Sequence, residues 1–174
     1  PMEFVLDNVV GTVNLLDFAR KLKKIERFVY FSTDEIFGNA PEGISYSEYD
    51  RYNSTNPYSA SKASAEEFCV AYENTYKLPI YITHTMNVFG ERQHPEKFIP
   101  KCISKVLRGE KVHIHSYPDR KRAGTRFYIH ARNIAAAVQF LLKNGSVGEK
   151  YNITGEQEVD NLELAQFIAE VCDR

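Results

Sequence analysis

The 174-residue sequence has no tryptophan, two methionines and only three cysteines. No apolar run approaches the ~20 residues that a membrane-spanning helix needs, and no signal-peptide pattern opens the chain. An excess of one charge is missing as well. With a formal net charge of −1 there is no basic field to attract nucleic acid and no polybasic patch for a membrane surface. Cys69, Cys102 and Cys172 are odd in number, far apart and without a C-x-x-C pair. In apolar, helical contexts they read as buried free thiols of a reducing, cytoplasmic compartment. His113-x-His115 finds no third ligand at a sensible spacing, so no metal site is expected.

What is present is globular: 43% hydrophobic, 26% charged and 13% aromatic residues, enough for a real core in one domain or part of a larger one. From Met2 to Lys23 apolar residues are too many for one narrow stripe, which predicts a helix covered on two sides. A short buried strand is expected over Arg27–Ser32, followed by a long polar segment from Thr33 to Asn56. Asn56-Pro57 supplies an N-cap and a first-turn proline for a helix reaching Tyr76. Further along come strands at Pro79–Thr85, Val112–His115, Arg126–His130 and Lys150–Ile153. Helices are expected at Phe98–Leu107 and Asn133–Lys143, with a last one opened by the capping-box pattern Asp160-x-x-Glu163. Strands alternating with helices predict an α/β fold, a doubly wound parallel sheet. Both termini fall inside helical patterns and read as cuts within a longer protein.

The stretch FVYFSTDEIFG, Phe28–Gly38, runs a buried strand straight into Ser32-Thr33-Asp34-Glu35. In open α/β sheets ligands bind beyond the carboxyl ends of the strands, so a hydroxyl beside two acids there is either a solvated turn or a catalytic rim. Tyr58 and Lys62 stand four apart on a predicted helix, hence on one face. An ammonium close to a phenol lowers the phenol's pKa and makes it a usable base. The spacing alone says little, since about one such pair arises by chance in a chain with 11 tyrosines. Tyr117 and Lys121 repeat it in a charged loop containing Pro118, where no helix face is shared.

Context separates the two pairs. Ser32-Thr-Asp-Glu-Ile-Phe-Gly38, Asn56-Pro-Tyr-Ser-Ala-Ser-Lys-Ala63, Asn87-Val-Phe-Gly90 and Pro95-Glu-Lys-Phe-Ile-Pro100 occur in that order. Asn8-Val-Val-Gly-Thr12, Thr125-Arg126 and Tyr151-Asn-Ile153 add to the pattern. Together they resemble the extended short-chain dehydrogenase/reductases, and within them the nucleoside-diphosphate-glucose 4,6-dehydratases of the dTDP-glucose type. The resemblance covers essentially the whole chain and implies a Rossmann-like fold with NAD as cofactor and a nucleoside-diphosphate-hexose as substrate. It makes Tyr58 the base at C4, and Lys62 the residue that holds the cofactor ribose and tunes the phenol. Thr33 becomes the hydroxyl on the reacting oxygen, Asp34 the acid for the departing C6 hydroxyl and Glu35 the base at C5. Ser32, Tyr58 and Lys62 would face the cofactor. Asn87 would lie near the sugar and diphosphate, Arg126 would clamp the diphosphate, and Lys97 would lie near the nucleotide. Asp34 discriminates within the resemblance, because related epimerases and UDP-glucuronate decarboxylases expel no C6 hydroxyl and typically carry a small or neutral residue there.

The sequence departs from this pattern in several places. The glycine-rich turn that cradles a dinucleotide diphosphate is absent, and its place would precede Pro1. More of the substrate lobe would follow Arg174. The Ser116–Thr125 loop is long, Phe127 replaces an acid after Arg126, and Asn133 stands at another commonly acidic position. Residues 1–90 are therefore expected to be the C-terminal part of the NAD-binding domain, carrying the catalytic groups. Residues 91–174 are expected to add substrate-lobe elements and return to the sheet. A catalytic piece and a non-catalytic scaffold or interaction module both remain open. In either case the resemblance implies a homodimer, built by packing Met2–Lys23 and Asn56–Tyr76 into a four-helix bundle with a twofold mate.

Overall fold

The protein is described by a computed structural model covering residues 1–41 and 43–172. Asp173, Arg174 and Glu42 lie outside the described residues. The chain divides into two compact units: Pro1–Thr85 with Ala136–Ile153, and Met86–Ala135 with Thr154–Arg174.

The first unit opens with α1 (Met2–Phe4), a π-helical turn over Val5–Val10, and α2 (Gly11–Ala19). The helix stops at Ala19, short of the expected Lys23. Of its many apolar residues, Leu16 and Ala19 are buried, while Phe4, Leu6, Val10, Leu15 and Phe18 stay exposed. One of the two expected covered sides is thus supplied within the chain. Strand β1 (Phe28–Thr33) leads into a 3-10 turn, Asp34–Phe37. Helix α3 (Pro57–Tyr76) begins with the expected Asn56 cap and Pro57, and it ends at Lys77 in the left-handed region, φ 55°. Pro79, which cannot continue a helix, follows two residues later.

Strands β1, β2 (Ile80–Thr85) and β6 (Lys150–Ile153) form a parallel sheet in the order β1-β2-β6. Phe28 lies opposite Ile80, and Ile82 opposite Lys150. Leu16, Tyr30, Ala65, Cys69, Leu78, Ile80 and Ile82 make the main core between helices and sheet. Each fully buried aliphatic side chain there, Leu16 or Ile80, contributes about 1.5–3 kcal/mol.

The second unit holds β3 (Val88–Phe89) paired in parallel with β5 (Ile129–His130), and β4 (Thr125–Phe127) antiparallel to β7 (Glu158–Asp160). Helices α4 (Phe98–Leu107) and α6 (Asn161–Val171) pack around Cys102, Ala165 and Ile168. Asp160 caps α6 by accepting from the Leu162 amide. Helix α5 (Ala131–Asn144) carries the division between the units.

The strand expected at Val112–His115 does not form. Val112 and Ile114 do alternate inward against the Cys102 cluster. Their backbone pairs with no strand, and the nearest ladder contact is a lone bridge between Ser116 and Ala123. Alternation is satisfied by an extended segment lying on helices, which the sequence pattern cannot tell from a strand. All three cysteines are free thiols; Cys69 and Cys102 are buried and Cys172 is partly so.

Candidate active site

At the carboxyl end of β1 the chain makes a sharp, locally wired turn. The Thr33 hydroxyl accepts from the Glu35 amide at 3.3 Å and donates to Asp34 Oδ1 at 3.2 Å, so one side chain caps the turn and orients an acid. Gly38 closes the turn at φ +75°, and a Cβ there would lie 2.5 Å from the Asn53 carbonyl oxygen. Only glycine lets the returning loop pass so close. The Asn53 amide in turn donates to the Ile36 carbonyl at 2.8 Å.

Asn56 joins this turn to the tyrosine helix. Its Oδ1 accepts from the Ser59 amide at 2.8 Å and the Ser59 hydroxyl accepts from the Asn56 amide at 3.3 Å, a reciprocal cap. Its Nδ2 is left to donate to Glu35 Oε2 at 3.1 Å. Sequence reading identified Asn56 as a cap alone; a second polar group on the same side chain was the signal for the tether.

Tyr58 is half-buried on the first turn of α3. The Phe4 ring meets its ring edge-on at 5.8 Å. From the π-helical turn, Asn8 Nδ2 donates to the Ser61 hydroxyl at 2.9 Å, which donates to the Tyr58 carbonyl at 2.7 Å. A π turn often marks a functional position, and here it presents Asn8 to the base of the tyrosine. Burial pushes the Tyr58 phenol above its ordinary value, and the charges of Glu35 and Asp34 push it further up. A hydrogen bond with Thr33 works in the opposite direction. The phenol, Thr33 and both carboxylates are therefore electrostatic neighbours.

The Lys62 ammonium donates to the Phe31 carbonyl at 2.6 Å and sits 4.4 Å over the Tyr30 ring. A half-buried ammonium turns to the nearest fixed acceptor and to an aromatic face. Burial lowers the pKa of Lys62 itself. The four-residue spacing sets the helix face but leaves the rotamer free. Ser32 is buried beside Lys62's anchor strand, its hydroxyl without a hydrogen-bond partner of ordinary geometry.

The structure thus brings Ser32, Thr33, Asp34, Glu35, Tyr58 and Lys62 into one unit. Asn87, Lys97 and Arg126 belong to the other. Asn87 adopts the left-handed region at φ 32°, uncommon for a residue with a side chain and frequent at ligand sites. Lys97 is exposed at the N-cap position of α4. Arg126 is exposed on β4, one guanidinium nitrogen donating to the Thr125 carbonyl at 2.7 Å. His113 and His115 are both exposed.

Known proteins resemble this chain along nearly its whole length. The dTDP-D-glucose 4,6-dehydratase of Dictyostelium discoideum is 36% identical over 98% of this chain and 40% of its own length. The low-salt glycan biosynthesis protein Agl12 of Haloferax volcanii is 41% identical over 96% of this chain and 52% of its own. The chain spans about half the length of these relatives. The crystal structure of dTDP-glucose 4,6-dehydratase from Bacillus anthracis in complex with NAD superimposes with a TM-score of 0.92 at 34% identity. It covers 99% of this chain and 54% of that one. The fold is accordingly the Rossmann-like α/β fold of the extended short-chain dehydrogenase/reductases. The profile of the NAD dependent epimerase/dehydratase family matches residues 1–154, and the chain belongs to that family.

Proposed function

We propose that this chain carries the catalytic residues of an NAD-dependent enzyme that converts a nucleoside-diphosphate-glucose to its 4-keto-6-deoxy sugar. The observation that carries the reading is the Thr33-Asp34-Glu35 turn set electrostatically against the Tyr58 phenol. NAD, when bound, supplies the oxidising equivalent taken up at C4 and given back at C6. Tyr58 removes the C4 hydroxyl proton while Thr33 hydrogen-bonds the same oxygen. The resulting ketone acidifies C5, whose proton Glu35 takes and gives back to C5 when C6 is reduced. Asp34 protonates the C6 hydroxyl, which leaves as water.

Lys62 fits a cofactor ribose because the Phe31 carbonyl fixes its ammonium and uses only one of three donors. Ser32, its buried side chain facing the Glu66 carboxylate, lies on the same strand. Asn87, Arg126 and Lys97 are assigned to the sugar, the diphosphate and the nucleotide, the second by its fork of donors. An epimerase or decarboxylase expels no C6 hydroxyl and gives Asp34 no task. Among the described residues no helix is long and apolar enough to cross a membrane, and we place the protein in the cytoplasm, where its three thiols stay reduced. The exposed Phe4, Leu6, Leu15, Phe18 and Phe68 side chains are assigned to a twofold mate across a four-helix bundle. A monomer by light scattering at micromolar concentration would refute that assembly.

Mass spectrometry of the chain with NAD and a panel of nucleotide-activated glucoses tests the chemistry. It is run on the chain alone and with the upstream half of a relative fused ahead of Pro1. Loss of one water from a single sugar nucleotide is expected, and Asp34→Asn is expected to keep C4 oxidation while abolishing that loss. Neither form retaining NAD or releasing water would favour a non-catalytic scaffold.

A further inference from the structure

Behind the catalytic turn lies a buried polar cluster that the proposed chemistry does not use. His84, the next-to-last residue of β2, and Glu66 on α3 are both 0% exposed. His84 Nδ1 lies 2.8 Å from Asn152 Oδ1, and Nε2 lies 3.0 and 3.1 Å from the two Glu66 oxygens. The Asn152 amide nitrogen donates to the Tyr46 carbonyl at 3.3 Å, which fixes its oxygen toward the imidazole as an acceptor. The Glu66 carboxylate is an acceptor too, for it also receives Lys150 Nζ at 3.0 Å and the Tyr52 hydroxyl. Lys150 in turn donates to the Tyr52 oxygen. A neutral imidazole has one donor and one acceptor nitrogen, whereas here both nitrogens face acceptors.

The cluster reaches the turn through aromatic contacts. The Phe37 ring, at the end of the Asp34–Phe37 turn, stands edge-on to His84 at 5.0 Å and to Tyr52 at 5.8 Å. One residue after Tyr52, Asn53 holds the Ile36 carbonyl, and three further on Asn56 holds Glu35. Glu48 accepts from the Asn152 amide at 2.9 Å, so the same cluster pins the loop a second time.

We infer that His84 is a buried imidazolium, donating from both ring nitrogens, and that through Glu66 and Tyr52 it positions the turn bearing Asp34 and Glu35. It is a positioning residue: it touches no reacting atom, and the inference rests on the proposed function only for the chemical role of the turn. Its ionic partner is Glu66, whose carboxylate it shares with the like-charged ammonium of Lys150. Ser32 and Tyr52 face the same carboxylate. A buried ion pair is a weak source of stability and a strong source of specific geometry when every donor is matched.

The test is nitrogen-detected NMR of the imidazole rings in the chain at pH 7, with His84 assigned by its disappearance in His84→Gln. Two protonated ring nitrogens are expected; one protonated nitrogen overturns the inference. Positioning is read separately from the backbone amide shifts of Asp34, Glu35, Ile36 and Phe37, with α6 amides as control. His84→Gln and the milder Tyr52→Phe, which keeps the ring against Phe37 and removes the link to Glu66, should both move the turn and spare α6. A merely structural role would lower the melting temperature and leave these shifts in the folded state unchanged, which would overturn the positioning. Should His84→Gln fail to fold, replacing His94, His113, His115 and His130 with Gln leaves His84 as the one imidazole to count, and that count and Tyr52→Phe still decide. No turnover is measured, so failure here is distinct from failure of the dehydratase reading.

Discussion

Asn56 grips Glu35 at 3.1 Å with one end of its side-chain amide while the other end caps α3 at the Ser59 amide, 2.8 Å away. A single side chain thus sets the distance between the acidic turn and the helix that carries Tyr58. Replacing it with alanine removes both bonds and should cost about 1 kcal/mol for the lost cap. Asn56→Asp keeps the cap acceptor and sets a second carboxylate against Glu35. Its melting temperature should stay near wild type while turnover falls, a split that thermal melts and sugar-nucleotide turnover together would read. Equal losses in both assays would make Asn56 a cap and nothing more.

The Tyr58 phenol is raised by burial, Glu35 and Asp34. A neighbouring negative charge disfavours the phenolate, so its removal must bring the phenol down. Glu35→Gln should therefore shift the Tyr58 titration to lower pH, followed by NMR of tyrosine labelled at the phenolic carbon. Tyr58→Phe should lower C4 oxidation by about 100-fold or more. An unmoved titration in Glu35→Gln would show that the two groups are not neighbours in solution.

Burial opposes the charge of Glu66, yet hydrogen bonding and charge from His84, helped by Ser32 and Tyr52, carry its pKa from the ordinary 4.5 down to about 2. A depressed carboxyl contributes stability that is present above the unfolded value and lost as the pH falls through the folded one. That contribution should be complete above about pH 4.5 and disappear toward pH 2. The carboxyl carbon signal of Glu66 should stay that of a carboxylate at pH 3. Protonation with a midpoint near 4.5 would contradict the contacts with His84, Ser32 and Tyr52 that hold the carboxyl down.

Gly38→Ala should cost about 1–3 kcal/mol, since it forces a side chain into the left-handed region and against the Asn53 carbonyl. Denaturant unfolding measures it. A change below a few tenths would mean that the loop is free to move away, and that the turn is less tightly fixed than its hydrogen bonds indicate.

Much of the fold is legible along the chain because its signals are local. The Asn56-Pro57 start of α3, the buried β1 and β2 segments and the cap at Asp160 each depend on residues a few positions apart. The acids at the end of β1 and the Tyr58 motif were legible in the same way, as residue types in a fixed order. Pattern failed at Val112–His115, where alternation was real and the partner strand absent.

Tertiary structure alone decided where the polar side chains point. Lys62 shares a helix face with Tyr58 by spacing, but the Phe31 carbonyl, 31 positions earlier, claims its ammonium. His84 sits in a segment that the sequence marks only as a strand; Asn152, 68 positions later, and Glu66, 18 positions earlier, give both its nitrogens acceptors. Backbone periodicity is set by sterics between neighbours and so is written in the sequence. The partner of a buried charge is set by whichever distant group folding brings within about 3 Å, and that is fixed only when the chain has closed on itself.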